Sequence, residues 1–251
     1  MAEWDSGALA HLEDITGRLA GLEVPSVMAK LVGGVFRRNL QRHEPTENGD
    51  TAQGLAWLCA INISQLAHRH YADPAATRSG QIRAALPDTN ALVVRACGVT
   101  LRVRKAPGDT LNPAWSKFTW HEADGVGRHL AAAANTAVYR PAESDQDGRS
   151  TTLDTGELWS LDEPTALLQV MLTWAGDMDT GLTAGWLGFP CTGAPSWFAV
   201  TQLWRDEPAV GAVPADASPI SDDSSDNFAD QPEPRIQLGL RREQPGRSGQ
   251  A

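Results

Sequence analysis

The sequence predicts an α+β fold with a helical N-terminal region, a mixed α/β-hairpin region and a disordered C-terminal tail. Apolar residues recur at helical spacing up to about residue 71 and then alternate over residues 91–105. After Arg205 the composition changes from apolar to charged. We therefore expect a helical region over 1–88, an α+β region over 89–205 and a disordered, acidic-then-basic tail over 206–251. The first two should form one continuous globular body.

The N-terminal region is predicted to contain four helices. The first follows Leu9 to Leu19, and the second runs from Val24 to Leu40 with a proline in its first turn. The third begins after Asp50 or Thr51, which are candidate N-caps, and ends near residue 71. A short fourth helix is predicted to start at the Asp-Pro pair 73–74 and to end before Pro87.

The remaining body is predicted to mix strands and helices. Residues 91–105 alternate around Gly98 and predict a β-hairpin, and 183–189 with 197–204 predict a second hairpin. Helices are expected over 122–136 and over 161–175, the latter ended by Gly176. Short strands or extended segments are expected at 116–121, 138–140 and 158–160.

Charge and cysteine usage limit the class of protein. The net charge is −10, and an acidic chain argues against broad binding along a phosphate backbone, although a local basic patch is compatible with it. The three cysteines are widely spaced and form no CxxC pair, which favours free thiols in a reducing compartment. No signal peptide or membrane-spanning run is evident, so we expect a cytoplasmic protein without membrane contact.

No catalytic signature is complete in this chain. Nucleotide-binding loops and a nucleophile elbow are absent, which favours a non-enzymatic protein without a cofactor. The alternative is a metal-dependent hydrolase with an unrecognised site. Its candidate ligands are His121, Glu122 and His129, or Asp177 and Asp179, although ordinary surface or core histidines and a solvated turn are the better explanation of these residues.

A second alternative is a weak sequence-specific DNA-binding protein. Arg95, Arg102, Arg104 and Lys105 cluster on the first predicted hairpin, and a two-stranded ribbon can enter a major groove. Basic residues on an edge hairpin also prevent edge-to-edge aggregation, so the cluster has a purely structural interpretation too.

Aromatic and alternating apolar residues suggest a protein–protein contact. Seven of the nine tryptophans lie between 115 and 204, and we expect most in the core and one or two as exposed anchors. In the tail, Phe228 stands alone among acids, and three apolar residues alternate as in an added strand. The candidate partner-binding residues are Trp186, Trp197, Trp204, Phe228, Ile236, Leu238 and Leu240.

As a whole chain, the sequence resembles accessory proteins of temperate phages, in particular recombination directionality factors that act on large serine integrases. The resemblance rests on size, acidic charge, the lack of enzyme signatures and the body-plus-tail plan. It implies a non-enzymatic regulatory protein that binds the integrase and promotes excision, with indirect or weak DNA contact. No functional residue is carried over, because the resemblance includes no motif. A regulatory protein with a larger protein partner is therefore our leading expectation.

Overall fold

The computed structural model describes residues 4–73, 77, 80–87, 91–106, 108, 110–118, 125–140 and 163–207. Residues 1–208 form one compact unit, which contains every described helix and strand. Residues 209–251 form a second unit, which lies outside the described residues. The compact unit has an α+β fold, as the sequence predicts.

Three helices come first among the described elements and confirm three of the four predicted N-terminal helices. They are α1 (Ser6–Gly21), α2 (Val24–Leu40) and α3 (Ala52–Ala72). The side chain of Asp5 caps α1 by accepting a hydrogen bond from the Ala8 backbone N–H at 2.7 Å. Thr51, one of the two predicted caps, does the same for α3 through the Gly54 N–H at 3.0 Å.

Six strands form one mixed sheet whose spatial order follows the chain order. They are β1 (Ile82–Ala85), β2 (Val93–Ala96), β3 (Val99–Lys105), β4 (Gln169–Gly176), β5 (Thr183–Pro190) and β6 (Trp197–Arg205). Every described pairing is antiparallel except that of β3 with β4. The connection between these two parallel strands contains α4 (Val126–Val138), as a parallel crossover requires.

Both predicted hairpins are confirmed. The turn between β2 and β3 consists of Cys97 and Gly98, which have φ angles of 53° and 82°. Two consecutive residues with positive φ are typical of the tight turns whose twist matches that of the flanking strands. The second hairpin pairs β5 with β6.

The helix predicted over 161–175 is wrong. Residues 161–162 are outside the described part, residues 164–166 form a single 3₁₀ turn, and β4 occupies 169–176. Seven of the eight residues of β4 are buried, because the strand lies inside the sheet and both of its faces are covered. A continuous apolar run of this kind does not distinguish a buried strand from a buried helix.

Three shorter predictions also differ from the structure. The helix expected before Pro87 is replaced over 82–85 by β1, which pairs with β2 and extends the sheet. Trp115–Lys117 form a 3₁₀ turn where a strand was expected from 116, and 119–121 lie outside the described residues. Val138 ends α4, and Tyr139 is an extended capping residue. The segment 158–160 lies outside the described residues.

The two faces of the sheet carry different layers. The helices α1, α2 and α3 pack on one face around a core that includes Leu101, Leu172 and Trp174. Alternate residues of the same strands, such as Met171 and Ala175, point to the other face. None of the described helices is by itself long and apolar enough to cross a bilayer; α1 and α2 together would be, but they meet at 77°.

Candidate nucleic-acid interface

Four arginines lie on the sheet face opposite α1, α2 and α3. Arg83 of β1 pairs with Arg95 of β2, which pairs with Thr100 of β3. Residues opposite each other in antiparallel strands point to the same face, as do alternate residues of one strand. Arg102 and Arg104 therefore share this face with Arg83 and Arg95. We call these four residues the arginine row.

The arginine row runs diagonally across three strands. Arg102 is two residues and Arg104 four residues further along β3 than the position opposite Arg95. With a strand spacing of about 4.8 Å and a rise of about 3.3 Å per residue, the Cα atoms of Arg83 and Arg104 are roughly 16 Å apart. Arg83 and Arg95 are exposed, and Arg102 and Arg104 are half-buried. The row therefore begins at the open edge of the sheet and ends near its centre.

The positive charge of the row is not compensated within the described part of the chain. None of its four guanidiniums forms an ion pair with a described carboxylate. The Nε atom of Arg102 is buried without a hydrogen-bond partner. Burial lowers the pKa of the Arg102 guanidinium, and the charges of Arg104 and Arg95 lower it further. An anion bound over the row would offset the repulsion among these guanidiniums and favour their charged form.

The beginning of α4 adds to the positive potential beside the row. A Cβ built on Gly125 would lie 3.1 Å from a guanidinium nitrogen of Arg104, and one on Gly127 would lie 3.7 Å from Arg102. The two glycines therefore let the helix start approach the arginines closely. Because the N-terminus of a helix carries partial positive charge, an anion bound there would be stabilised by the helix as well as by the arginines.

One of the four residues proposed from sequence does not belong to this face. Lys105 follows Arg104 and so points to the opposite side of the strand, and its Nζ donates to the carbonyl oxygens of Ala106 and Gly108 at 3.3 and 2.7 Å. Arg83 takes its place in the row. Sequence reasoning missed Arg83 because 82–85 was interpreted as helix, and a helical assignment conceals which residues align across strands.

The tryptophans expected to be exposed anchors are mostly in the core. Trp186 and Trp197 are buried against Trp115, with ring centroids 5.4 and 5.6 Å from it, and we correct the expectation that they are exposed. Trp204 is half-buried over Gly185, and its Nε1 donates to the Thr183 hydroxyl at 3.4 Å. The rings of Trp186 and Trp197 fill the face of β5 and β6 opposite the three N-terminal helices, whereas Trp204 packs against the core beneath those helices.

The large exposed apolar residues lie elsewhere. Trp57 of α3 is 70% exposed beside Leu58. On α4, Val126 and Leu130 are 73% and 60% exposed. They belong to a continuous apolar surface at i, i+4, i+7, i+8, i+11 and i+12 spacing, which we call the α4 stripe: Val126, Leu130, Ala133, Ala134, Ala137 and Val138. The opposite side of α4 is held to the sheet by Asn135, which donates to the carbonyl oxygens of Gln169 and Pro190.

The described residues of the alternative metal site do not form a metal-binding group. His121 and Glu122 lie outside the described residues, and His129 is exposed on α4. Asp177 accepts a hydrogen bond from the Asp179 backbone N–H at 2.9 Å within a turn, and that bond holds its pKa below the usual range. Within the described ranges, no three His, Cys, Asp or Glu side chains form a group able to hold a metal ion.

The remaining partner-binding candidates fall in the second unit. Phe228, Ile236, Leu238 and Leu240 all lie outside the described residues.

Comparison of the chain with protein-family models, with curated proteins and with solved structures finds no match. The arginine row and the α4 stripe are the two candidate surfaces for a macromolecular ligand among the described residues.

Proposed function

We propose that the protein is a non-enzymatic accessory protein that binds nucleic acid through the arginine row. The observation that supports it is the diagonal alignment of four guanidiniums, without a described counter-ion, beside the start of α4. Guanidinium groups bind phosphate oxygens in a planar, bidentate manner, which suits a phosphate backbone.

The length of the row supports a polymeric ligand. A single phosphate reaches only one or two guanidiniums, whereas the row extends over roughly 16 Å by strand geometry. A nucleic-acid backbone presents successive phosphates at regular intervals, so several arginines are neutralised together. The net charge of −10 opposes this attraction over longer distances, and we therefore expect weak affinity that depends strongly on salt.

The test is a titration of labelled duplex and single-stranded DNA with the full chain, read by fluorescence anisotropy at several salt concentrations. For the unchanged protein, log K should fall linearly with log salt. Each of Arg83→Gln and Arg95→Gln should weaken binding and reduce the magnitude of that slope by about 0.9 with duplex DNA or about 0.7 with single-stranded DNA, as expected for one lost phosphate contact. Lys30→Gln, an exposed residue of α2, removes the same charge far from the row and is the matched control.

Two results would contradict the proposal. One is the absence of saturable binding to either form of DNA at low salt. The other is an equal loss of affinity in Lys30→Gln and in the row variants, which would indicate a general charge effect. Binding that depends on the row for only one of the two forms of DNA would identify the preferred ligand.

A second proposal concerns a protein partner. We propose that the α4 stripe binds a larger protein, and the resemblance to recombination directionality factors makes a large serine integrase the partner to test. The stripe supports this because it exposes apolar side chains on the free side of a helix whose other side is anchored by Asn135. Apolar helix faces of this kind bind to complementary grooves in partner proteins.

An excision assay with a purified large serine integrase and its attachment sites tests this second proposal. The full chain should shift the reaction from integration to excision, and Leu130→Ser should reduce that shift. Leu58→Ser, also an exposed leucine on a helix, is the matched control. No shift with the unchanged protein, or an equal loss in both variants, would count against a role for the α4 stripe.

A further inference from the structure

A second concentration of arginines surrounds a pocket between α2 and α3. The pocket has a volume of about 220 Å³. Four lining residues come from α2 and the turn after it and four from α3, each set at i, i+3, i+4 and i+7, the spacing of one helix face. The lining residues are Val35, Arg38, Asn39 and Arg42 from α2 and the residues following it, and Asn62, Gln65, Leu66 and Arg69 from α3.

The lining is basic and contains no acid. The guanidiniums of Arg38, Arg42 and Arg69 form no ion pair with any described carboxylate. Arg37 differs from these three arginines. It precedes Arg38 on the same helix and forms an ion pair with Asp206 at 3.3 Å. The chain therefore supplies a counter-ion to the arginine that points away from the pocket, and none among the described residues to those that line it.

Interaction with helix ends accounts for only part of this arrangement. Arg38 is in the last turn of α2 and Arg69 in the last turn of α3, where cations favour the helix dipole. Arg42, however, lies beyond the end of α2. The three arginines are exposed, and around one small pocket they supply positive charge that a multiply charged anion can neutralise.

We propose that this pocket binds a small phosphomonoester. Guanidinium groups on several sides match the oxygens of a phosphate dianion. The carboxamides of Asn62 and Gln65 can bond hydroxyl groups of the ligand, and Val35 with Leu66 provide apolar contact. The volume is smaller than that of pockets for drug-sized ligands, about 300–1,000 Å³, which favours a small phosphorylated compound over a nucleotide. The proposal does not depend on the arginine row.

Isothermal titration of the full chain with glycerol 3-phosphate, inorganic phosphate and sulfate tests the proposal. We expect saturable binding that is tightest for the phosphomonoester. The double variant Arg38→Gln, Arg69→Gln should raise the Kd by about tenfold or more, since two charge-assisted contacts are lost. Lys30→Gln should leave the Kd within about twofold, because it removes an exposed charge outside the pocket.

Side-chain amide NMR signals give a second measurement that needs no variant. Titration with the phosphomonoester should shift the signals of Asn62 and Gln65. No saturable binding, an equal loss in Lys30→Gln, or unshifted amide signals would each overturn the proposal. Affinity for inorganic phosphate or sulfate equal to that for the monoester would overturn the proposed selectivity, because the organic part of the ligand would then contribute nothing. A loss of DNA binding in the double variant would instead assign these arginines to the nucleic-acid interface.

Discussion

The two faces of the sheet are built from the same strands but differ in what covers them. The helical face is closed by α1, α2 and α3 over a continuous apolar core. The opposite face is divided: Trp115, Trp186 and Trp197 together with α4 cover β4 to β6, whereas β1 to β3 carry the arginine row. Alternation along a strand allows one face to supply stability while the other presents charge. The helical face should therefore respond to substitution in stability, and the arginine row in ligand binding.

The largest effect is expected on the helical face. Phe36 is buried there, and its ring lies against β4, where a Cβ on Gly176 would be only 2.6 Å away. Phe36→Ala should lower the free energy of unfolding by about 3–5 kcal/mol, because it leaves a cavity in a packed core. Urea denaturation gives the value. Arg95→Gln should change it by less than about 0.5 kcal/mol, and a larger change would contradict the proposed division of roles.

The attachment of α4 should show the next largest effect. Asn135 is buried and makes three hydrogen bonds, two as donor to the carbonyl oxygens of Gln169 and Pro190 and one as acceptor from the Gln169 N–H. Asn135→Ala should cost about 1–3 kcal/mol in urea denaturation, because it leaves buried polar groups unpaired.

Thr136→Ala is the control for this attachment. Thr136 is adjacent, and its hydroxyl accepts one hydrogen bond, from the Thr192 N–H, at a more exposed position. Thr136→Ala should lower the free energy of unfolding by less than Asn135→Ala does. Equal losses in the two variants would mean that α4 is not held mainly by Asn135.

In the arginine row, we expect stability and binding to change in opposite directions. Arg102 has a buried, unpartnered Nε and two cationic neighbours, Arg95 and Arg104. Arg102→Gln should raise the free energy of unfolding by about 0.5–1 kcal/mol, a gain typical of relieved strain at a functional site, and should weaken DNA binding. Denaturation with and without DNA measures both effects. A variant that is less stable and binds DNA normally would make Arg102 a structural residue.

The smallest effect is a pH dependence on the helical face. His11 stacks on Phe189 at 5.6 Å, and burial lowers its pKa below the ordinary value of 6.5. Since the folded state favours the neutral ring, the unfolded state binds more protons between the two pKa values. The stabilising contribution is present above about pH 6.5 and is lost as the pH falls through the folded pKa. Urea denaturation of His11→Phe between about pH 5 and 7.5 should show a flatter profile than the unchanged protein.

Local sequence patterns were sufficient to predict those helices and hairpins whose formation depends on residues close together in the chain. The spacing from Leu9 to Leu40 predicted α1 and α2, and the alternation around Gly98 predicted the β2–β3 hairpin. These elements were predictable because amphipathic periodicity and turn chemistry act within a few neighbouring residues. The helix predicted over 161–175 failed for the complementary reason, since a strand buried on both faces loses its alternation.

The candidate sites show the same limit. Arg95, Arg102 and Arg104 could be grouped from sequence because they lie on one hairpin, but Arg83 could not, since its place depends on the pairing of β1 with β2. The pocket arginines are separated by up to 31 positions, from Arg38 to Arg69, and only the packing of α2 on α3 brings them together. Trp186 and Trp197 were likewise expected to be binding anchors, but the structure buries both of them in the core.

The sequence by itself determined the α+β class, the N-terminal helices, both hairpins and the acidic character of the chain, because these depend on local periodicity and composition. Tertiary structure decided that β4 is a strand, that β1 completes the sheet, and which arginines share a surface. Those outcomes depend on contacts between residues distant in the chain, where the burial of both faces and the register between strands outweigh local propensity.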